Sequence, residues 1–310
     1  MISIYKNTEL GLEELDNPVN GCWINIINPT SDEVDRVTAW GIPLDFLTYA
    51  LDVDERPRME KEDDGTMLVI LRIPYFQGLT VDVPYATIPL GVILTGQYFV
   101  SVCRRPTDIL QEFASGRMRN FSTGKRNRFL LRLLLSTANK YLTYLREINK
   151  TVDNLEDKLQ ASMRNKEVFD LLKYQKSLVY FTTALKSNGL MLERLQRSQF
   201  FHTYPDDEDL LEDVITENAQ AMEMVNISNN ILTSMMDAFG SIISNNMNVV
   251  MKFLASMTIV LSLPTIVTSF FGMNVNLPFS EHPQAYLIVI GIFTLLSLLV
   301  TIIFVRRDWF

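Results

Sequence analysis

A set of residues between 237 and 272 falls on alternating steps of four and three: Asp237, Ser241, Ser244, Asn248, Met251, Ala255, Thr258, Ser262, Thr265, Ser269 and Gly272. That spacing is a seven-residue repeat, which keeps one face of a gently supercoiled helix toward a common axis. Within residues 253–272 all six stripe positions are small or polar, whereas only Ser256 and Thr268 are so among the fourteen others. Small and hydroxyl side chains in apolar surroundings support either close helix packing or a row of neutral oxygen acceptors beside a water-filled path. The stripe outlasts a whole membrane span and joins Asn248 and Asp237 beyond it, which favours the path. Met251, the one bulky member, would form either a hydrophobic constriction that gates by dewetting or a plain packing contact. Gly272 ends the stripe, and it opens a Gly272-Met273-Asn274 tripeptide.

Other residues offer less chemistry. The acidic run Asp206-Asp207-Glu208-Asp209 suits the first turn of a helix, where carboxylates oppose the positive end of the macrodipole; metal binding is the other reading. Selective zinc sites use Cys or His, and the two histidines are His202 and His282. Gly124-Lys125 is a near miss for a phosphate loop, because Arg119 stands where the first Gly belongs and Arg126 replaces the Ser or Thr. Neither His-Glu-x-x-His nor Gly-x-Ser-x-Gly occurs, so the chain reads as a non-enzyme without an organic cofactor.

The elements that must carry the stripe are membrane helices. Residues 253–280 and 285–305 lack Asp, Glu, Lys, Arg and His, and about 20 apolar residues cross a hydrocarbon core of about 30 Å. Lys252 precedes the first span and Arg306-Arg307 follow the second, while 273–284 has no Lys or Arg. The positive-inside rule then puts both termini in the cytoplasm of a multi-pass cell-membrane protein. The N-terminus has no basic n-region before an apolar run, so no cleaved signal is expected. Cys22 and Cys103 accordingly read as buried thiols in a reducing compartment.

The remainder is acidic: residues 1–251 hold 25 basic and 34 acidic side chains, about −9, which argues against a nucleic-acid partner and allows cations to be attracted. Residues 1–120 alternate strand-like runs (2–5, 22–27, 67–73, 87–94, 98–103) with helix starts at Ser31 and Pro43, as an α/β domain does. Residues 121–247 read as long stalk helices, with one Gly and no Pro between Lys125 and Gln199. The last of them runs without a strong breaker into the first span, 248–272. At about 1.5 Å per residue, 207–272 makes a rod of roughly 100 Å. A connector at 273–284, containing Glu281, leads to a second span at 285–305 and a basic tail at 306–310.

Gly272-Met273-Asn274 at the end of the first of two C-terminal spans, the short connector, and the closing Arg306-Arg307-Asp308-Trp309-Phe310 together resemble the CorA family of divalent-cation channels over the whole chain. The resemblance implies a funnel-shaped homopentamer in the lipid bilayer, with first spans lining a pore for Mg2+ and Asn274 ringing its outer mouth by contact with the ion's hydration shell. It also implies that cytoplasmic Mg2+ closes the channel. Asp213 takes the place of the family's sensor on the long helix, with Asp45, Asp52, Asp54 or Asp82 of the next subunit as partner, and Asp237 is a further metal candidate. Asp213 as a solvated helix residue stays open. So do passage of zinc, cobalt or nickel by the same architecture, and a non-conducting sensor or scaffold.

Overall fold

The computed structural model describes residues 1–310 apart from 10, 117, 119–120, 163–164, 199–204, 274, 276–282, 308 and 310. The chain forms two compact units, Met1–Met235 and Met236–Phe310.

The first unit is built on a seven-stranded sheet of β1 (Ile2–Thr8), β2 (Gly11–Leu15), β3 (Trp23–Ile27), β4 (Arg58–Lys61), β5 (Met67–Phe76), β6 (Tyr85–Leu94) and β7 (Phe99–Cys103), in the order β2-β1-β3-β7-β6-β5-β4. Every pairing is antiparallel except β3 with β7. Side chains alternate across the pleat: Trp23, Val69, Leu71, Val92 and Phe99 enter one core, whereas Ile24, Ile70, Ile93, Val100 and Val102 enter another. Helices α1 (Ser31–Ala39) and α2 (Leu44–Leu51) cover the second core. The first is covered by α3 (Asp108–Ala114), α4 (Arg126–Ser162), α5 (Asn165–Arg197) and the opening turns of α6 (Pro205–Phe271). Because both faces are covered, the central strands read as nearly unbroken apolar runs.

Both edge strands, β2 and β4, depart from the sequence expectation. Their residues, Gly-Leu-Glu-Glu-Leu and Arg-Met-Glu-Lys, are partly exposed and charged, which is how edges resist pairing with other chains and why they lack a strand pattern. Helix α1 begins where expected: Thr30 and Glu33 form a capping box. Glu33 also binds the N-terminal amine at 2.8 Å, and that hydrogen bond, before any other influence, holds its carboxyl below the usual range. The compositional change near residue 120 marks a change from strand to helix, not a seam in packing, since α4 and α5 share the sheet's core.

Two contacts fix the layers. A Cβ built on Gly91 of β6 would lie 2.3 Å from the Ala50 Cβ, so α2 crosses the sheet at a distance only glycine permits. On the opposite face, β4 stops short of Arg72, which pairs on its other side with Pro89. Asn188 of α5 takes the place of the missing strand. Its Oδ1 accepts from the Arg72 N–H at 2.9 Å, its Nδ2 donates to the Arg72 carbonyl at 2.8 Å, and the Tyr141 hydroxyl donates to the same carbonyl. Leaving one such buried group unpaired costs about 1–3 kcal/mol. The Arg72 guanidinium donates in turn to Thr87 and to the carbonyls of Val53 and Glu55, fastening the loop that follows α2.

The second unit contains the remainder of α6 and α7 (Ala285–Arg306). Both carry stretches long and apolar enough to cross a membrane, and these stretches are almost entirely unburied. Pro264 lies inside α6, where it removes one helical N–H; the Thr268 hydroxyl donates to its carbonyl at 2.8 Å.

Candidate functional site

The stripe forms one continuous face of α6 in the second unit. Asn248, Met251, Ala255, Thr258, Thr265, Ser269 and Gly272 are exposed and Ser262 half-buried, as are Asp237, Ser241 and Ser244 exposed before them. Burial falls on the other side, at Ser256, Val260, Leu263, Val267 and Phe271. At roughly 100° per residue these positions lie about opposite the stripe. Helix α7 likewise has one partly covered face, at Val289, Phe293, Ser297, Val300 and Phe304.

Hydroxyls at this depth have few partners, and those of Thr258 and Ser262 on the stripe satisfy themselves locally. Thr258 donates to the Leu254 carbonyl at 2.8 Å and Ser262 to the Ile259 carbonyl at 2.8 Å. With its proton committed, each oxygen presents lone pairs outward and acts as an acceptor. From Asn248 to Gly272 the face is therefore suited to the protons of water around a cation and carries no charge that would hold the ion fast. Gly272 ends the helix: its N–H donates to the Thr268 carbonyl at 2.9 Å, and an added Cβ would stand 3.2 Å from that same oxygen. Met273 follows and is exposed. Asn274, Glu281 and His282 lie outside the described residues, as does His202.

The acidic candidates occupy different surroundings. Asp206, Asp209 and Asp213 share a face of α6 and line a cavity of about 540 Å³ with Phe121, Ser122, Lys125, Arg128, Arg132 and Leu210. Arg128 binds Asp207 at 2.7 Å and Asp206 at 3.1 Å, and those two bonds raise its already high pKa. This gives the acidic run a structural part alongside any helix-dipole effect. Asp82 is paired with Lys176, and Asp52 accepts from the Asp54 N–H. Among the described residues no three His, Cys, Asp or Glu side chains stand together as a metal cluster. Within one chain, Asp213 shares its cavity with Lys125, Arg128 and Arg132 as well as with Asp206 and Asp209. Gly124-Lys125 lies between α3 and α4, outside any strand–loop–helix phosphate cradle. Sequence reading missed the pairing of α4 cations with α6 carboxylates, whose only signal was the common three-and-four spacing of both sets.

A family model described as CorA-like Mg2+ transporter protein matches residues 20–307. The chain belongs to that family. It is 28% identical over 298 residues to a cobalt/magnesium transport protein CorA of Methanocaldococcus jannaschii, covering 93% of this chain and 90% of the relative. To a protein of the same description from Thermotoga maritima it is 23% identical over 304 residues, covering 93% and 83%. The complete structure of the CorA magnesium transporter from Methanocaldococcus jannaschii superposes with a TM-score of 0.87 at 24% identity, over 100% of this chain and 99% of that one. The full-length CmaX protein does so with a TM-score of 0.72 at 16% identity, over 100% and 97%. These two likenesses are of fold: an α/β amino-terminal part, a long helix and two C-terminal apolar helices.

The two native thiols leave a clean background for chemical probing of a CorA-family chain. Cys22 and Cys103 are fully buried; burial raises both thiols, Cys103 to about 11. We expect a hydrophilic thiol reagent to modify Thr258→Cys, Ser262→Cys and Thr265→Cys in the assembled protein, and to leave the wild type, Val260→Cys and Val267→Cys unmodified. Labelling on both faces alike would remove the water-filled path.

Proposed function

We propose that the chain is a subunit of a homo-oligomeric channel, a pentamer by family resemblance, that carries hydrated Mg2+ into the cytoplasm down the membrane potential. The observation that carries this reading is the stripe of neutral acceptors on the exposed face of α6, ending at Gly272-Met273-Asn274. One helix cannot enclose a path, so several copies must surround an axis. Mg2+ is small and gives up water reluctantly; a ring of Asn274 carboxamides would bond its waters without stripping them and release it again. For a doubly charged ion the drive is roughly 4.6 kcal/mol per 100 mV, twice the unit-charge value.

The test is Mg2+ uptake into proteoliposomes at an inside-negative potential, with assembly checked by size-exclusion chromatography. Asn274→Ala is expected to assemble and to lose at least about tenfold in uptake, an effect equal to about 1.4 kcal/mol in the barrier. Wild-type uptake by the assembled variant would refute the filter. A second reading, passage of cobalt by the same route, is favoured by the curated relatives, which are described as cobalt/magnesium transport proteins. Competition by Co2+ in the same assay decides it.

Orientation belongs to this reading, with both termini cytoplasmic, from Lys252 and Arg306-Arg307 flanking a connector without basic residues. In intact cells an impermeant thiol reagent should reach Gln284→Cys and not Arg307→Cys; the reverse pattern would invert the flux assignment.

Gating by cytoplasmic Mg2+ through Asp213 and Asp237, completed by carboxylates of neighbouring subunits, is the remaining part. An ion that binds only the closed state protects it. Magnesium should therefore slow proteolysis of the wild type and do so less in Asp213→Ala or Asp237→Ala. Equal protection in both variants would leave them as surface residues.

A further inference from the structure

Hydroxyls in the apolar stretches turn back to their own helix, as Ser256 does to the Lys252 carbonyl, Thr294 to that of Ile290 and Thr301 to that of Ser297. Ser297 is an exception: its Oγ is buried and has no hydrogen-bond partner among the described residues. A buried hydroxyl left unpaired is costly, most of all where water cannot reach it. The acceptor open to it lies on the other helix. Pro264 has no N–H, so the carbonyl four residues earlier, that of Val260, loses its helical donor. Val260 belongs to the partly covered face of α6 and Ser297 to that of α7. Both helices lie in one compact unit, and in a pair of apolar helices the face that loses exposure is the one turned toward the other. The two residues also agree in level. Ser297 lies twelve residues from Ala285 and nine from Arg306; the same counts along α6, from Phe271 and from Lys252, end at Ile259 and Leu261. Antiparallel helices share one rise per residue, so a donor and an acceptor, each short of a partner, stand at one depth on facing surfaces.

We propose that Ser297 positions the stripe-bearing helix by donating to the Val260 carbonyl, as a latch between α7 and the Pro264 notch of α6. Neighbouring helices and Ser or Thr hydroxyls are the means by which membrane proteins satisfy backbone groups that proline frees. In this structure the latch is open, since the Ser297 hydroxyl is unpaired. Released, α6 can bend at Pro264, the usual place for a kink. Latched, the bend is held, and with it the stripe residues on either side, Ser262 and Thr265. The effect on conduction rests on the channel reading above; the bond itself does not.

Val260-Leu261 is the single Val-Leu pair in the chain. Full-length protein labelled at valine carbonyl carbons and leucine nitrogens, in lipid bilayers, therefore gives one nitrogen-coupled carbonyl signal by solid-state NMR, that of Val260. A carbonyl carbon that loses a hydrogen bond moves upfield. Ser297→Val is expected to move the signal upfield and Ser297→Thr to keep it, because Thr and Val share a shape and differ in the hydroxyl. Pro264→Ala returns a backbone donor to Val260, and in that background Ser297→Val should leave the signal in place; such non-additivity marks a direct coupling. If Pro264→Ala fails to assemble, the Thr and Val variants alone decide. Mg2+ uptake by Ser297→Val should differ from wild type by about threefold or more, the ratio equivalent to an average interhelical side-chain bond in a membrane, and Ser297→Thr should recover it. An unmoved signal in Ser297→Val, or an equal shift in the Pro264→Ala background, would overturn the bond. A moved signal with wild-type uptake would overturn the positioning role. The carbonyl readout needs no conduction, so a failed channel reading and a failed latch are distinguishable.

Discussion

In hydrocarbon a polar side chain has no bulk water to turn to, and hydroxyls in the apolar stretch of α6 meet that constraint. The hydroxyls of Thr258 and Ser262 answer it by bonding carbonyls of their own helix. That bond fixes what the stripe can do, since an oxygen whose proton points back into the helix can only accept. A face made of such oxygens is attractive to the water shell of a cation and indifferent to anions. Thr268 and Ser256 make the same backward bonds, yet they lie off the stripe. Hydrogen bonding alone therefore does not single out the stripe; its continuity with Ala255, Ser269 and Gly272 does.

The same requirement shapes the first unit, where it is met with side chains rather than with helix carbonyls. Asn188 closes the open edge of β5 at Arg72 because β4 is too short to reach it, and an asparagine carries the peptide's own donor and acceptor on a side chain. The Arg72 guanidinium then spends its donors on neutral oxygens. Beside these, Trp23 donates to Ser101 at 2.7 Å and Ser101 to Asn25 at 2.9 Å, a buried chain crossing the parallel β3–β7 pair. Buried polar groups that are fully paired specify one arrangement of strands and helices. The apolar residues of the two cores, interchangeable in kind, would not do so alone.

These differences explain what could be read in the sequence. The five inner strands and the helices other than α3 were legible because burial on one or both faces writes itself into composition, as in Met67–Ile73 or the leucines of α4. The heptad stripe was legible because small and hydroxyl residues such as Thr258, Ser262 and Thr265 recur at one spacing in an otherwise apolar stretch. Strands β2 and β4 were not, since an edge is defined by what it avoids, and charged residues such as Glu13, Glu14 and Lys61 look like loop. Helix α3 escaped for its length: with seven residues it depends on Thr107 as its cap and on the burial of Ile109, Leu110 and Phe113. The place of Asp213 opposite Arg132 was also hidden, for the two are far apart in the chain and only the folded core around Leu210 and Val214 brings α6 back to α4.

Charge is distributed along α6 in a way that follows from both environments. Carboxylates crowd its first turns, where Arg128 and the helix dipole stabilise them, and recur as far as Asp237. Beyond Lys252 the helix carries none through Phe271. A carboxylate on the apolar part of the stripe would attract a divalent ion far more strongly than a hydroxyl does, and in the proposed path it would hold the ion instead of passing it. Neutral acceptors give up affinity for throughput. On the channel reading proposed above, strong binding would be confined to the part of the chain in water, where screening and competing cations would keep the carboxylates responsive to concentration. A single helix thus displays two kinds of oxygen: carboxylates as far as Asp237 and neutral hydroxyls in the apolar stretch beyond Lys252.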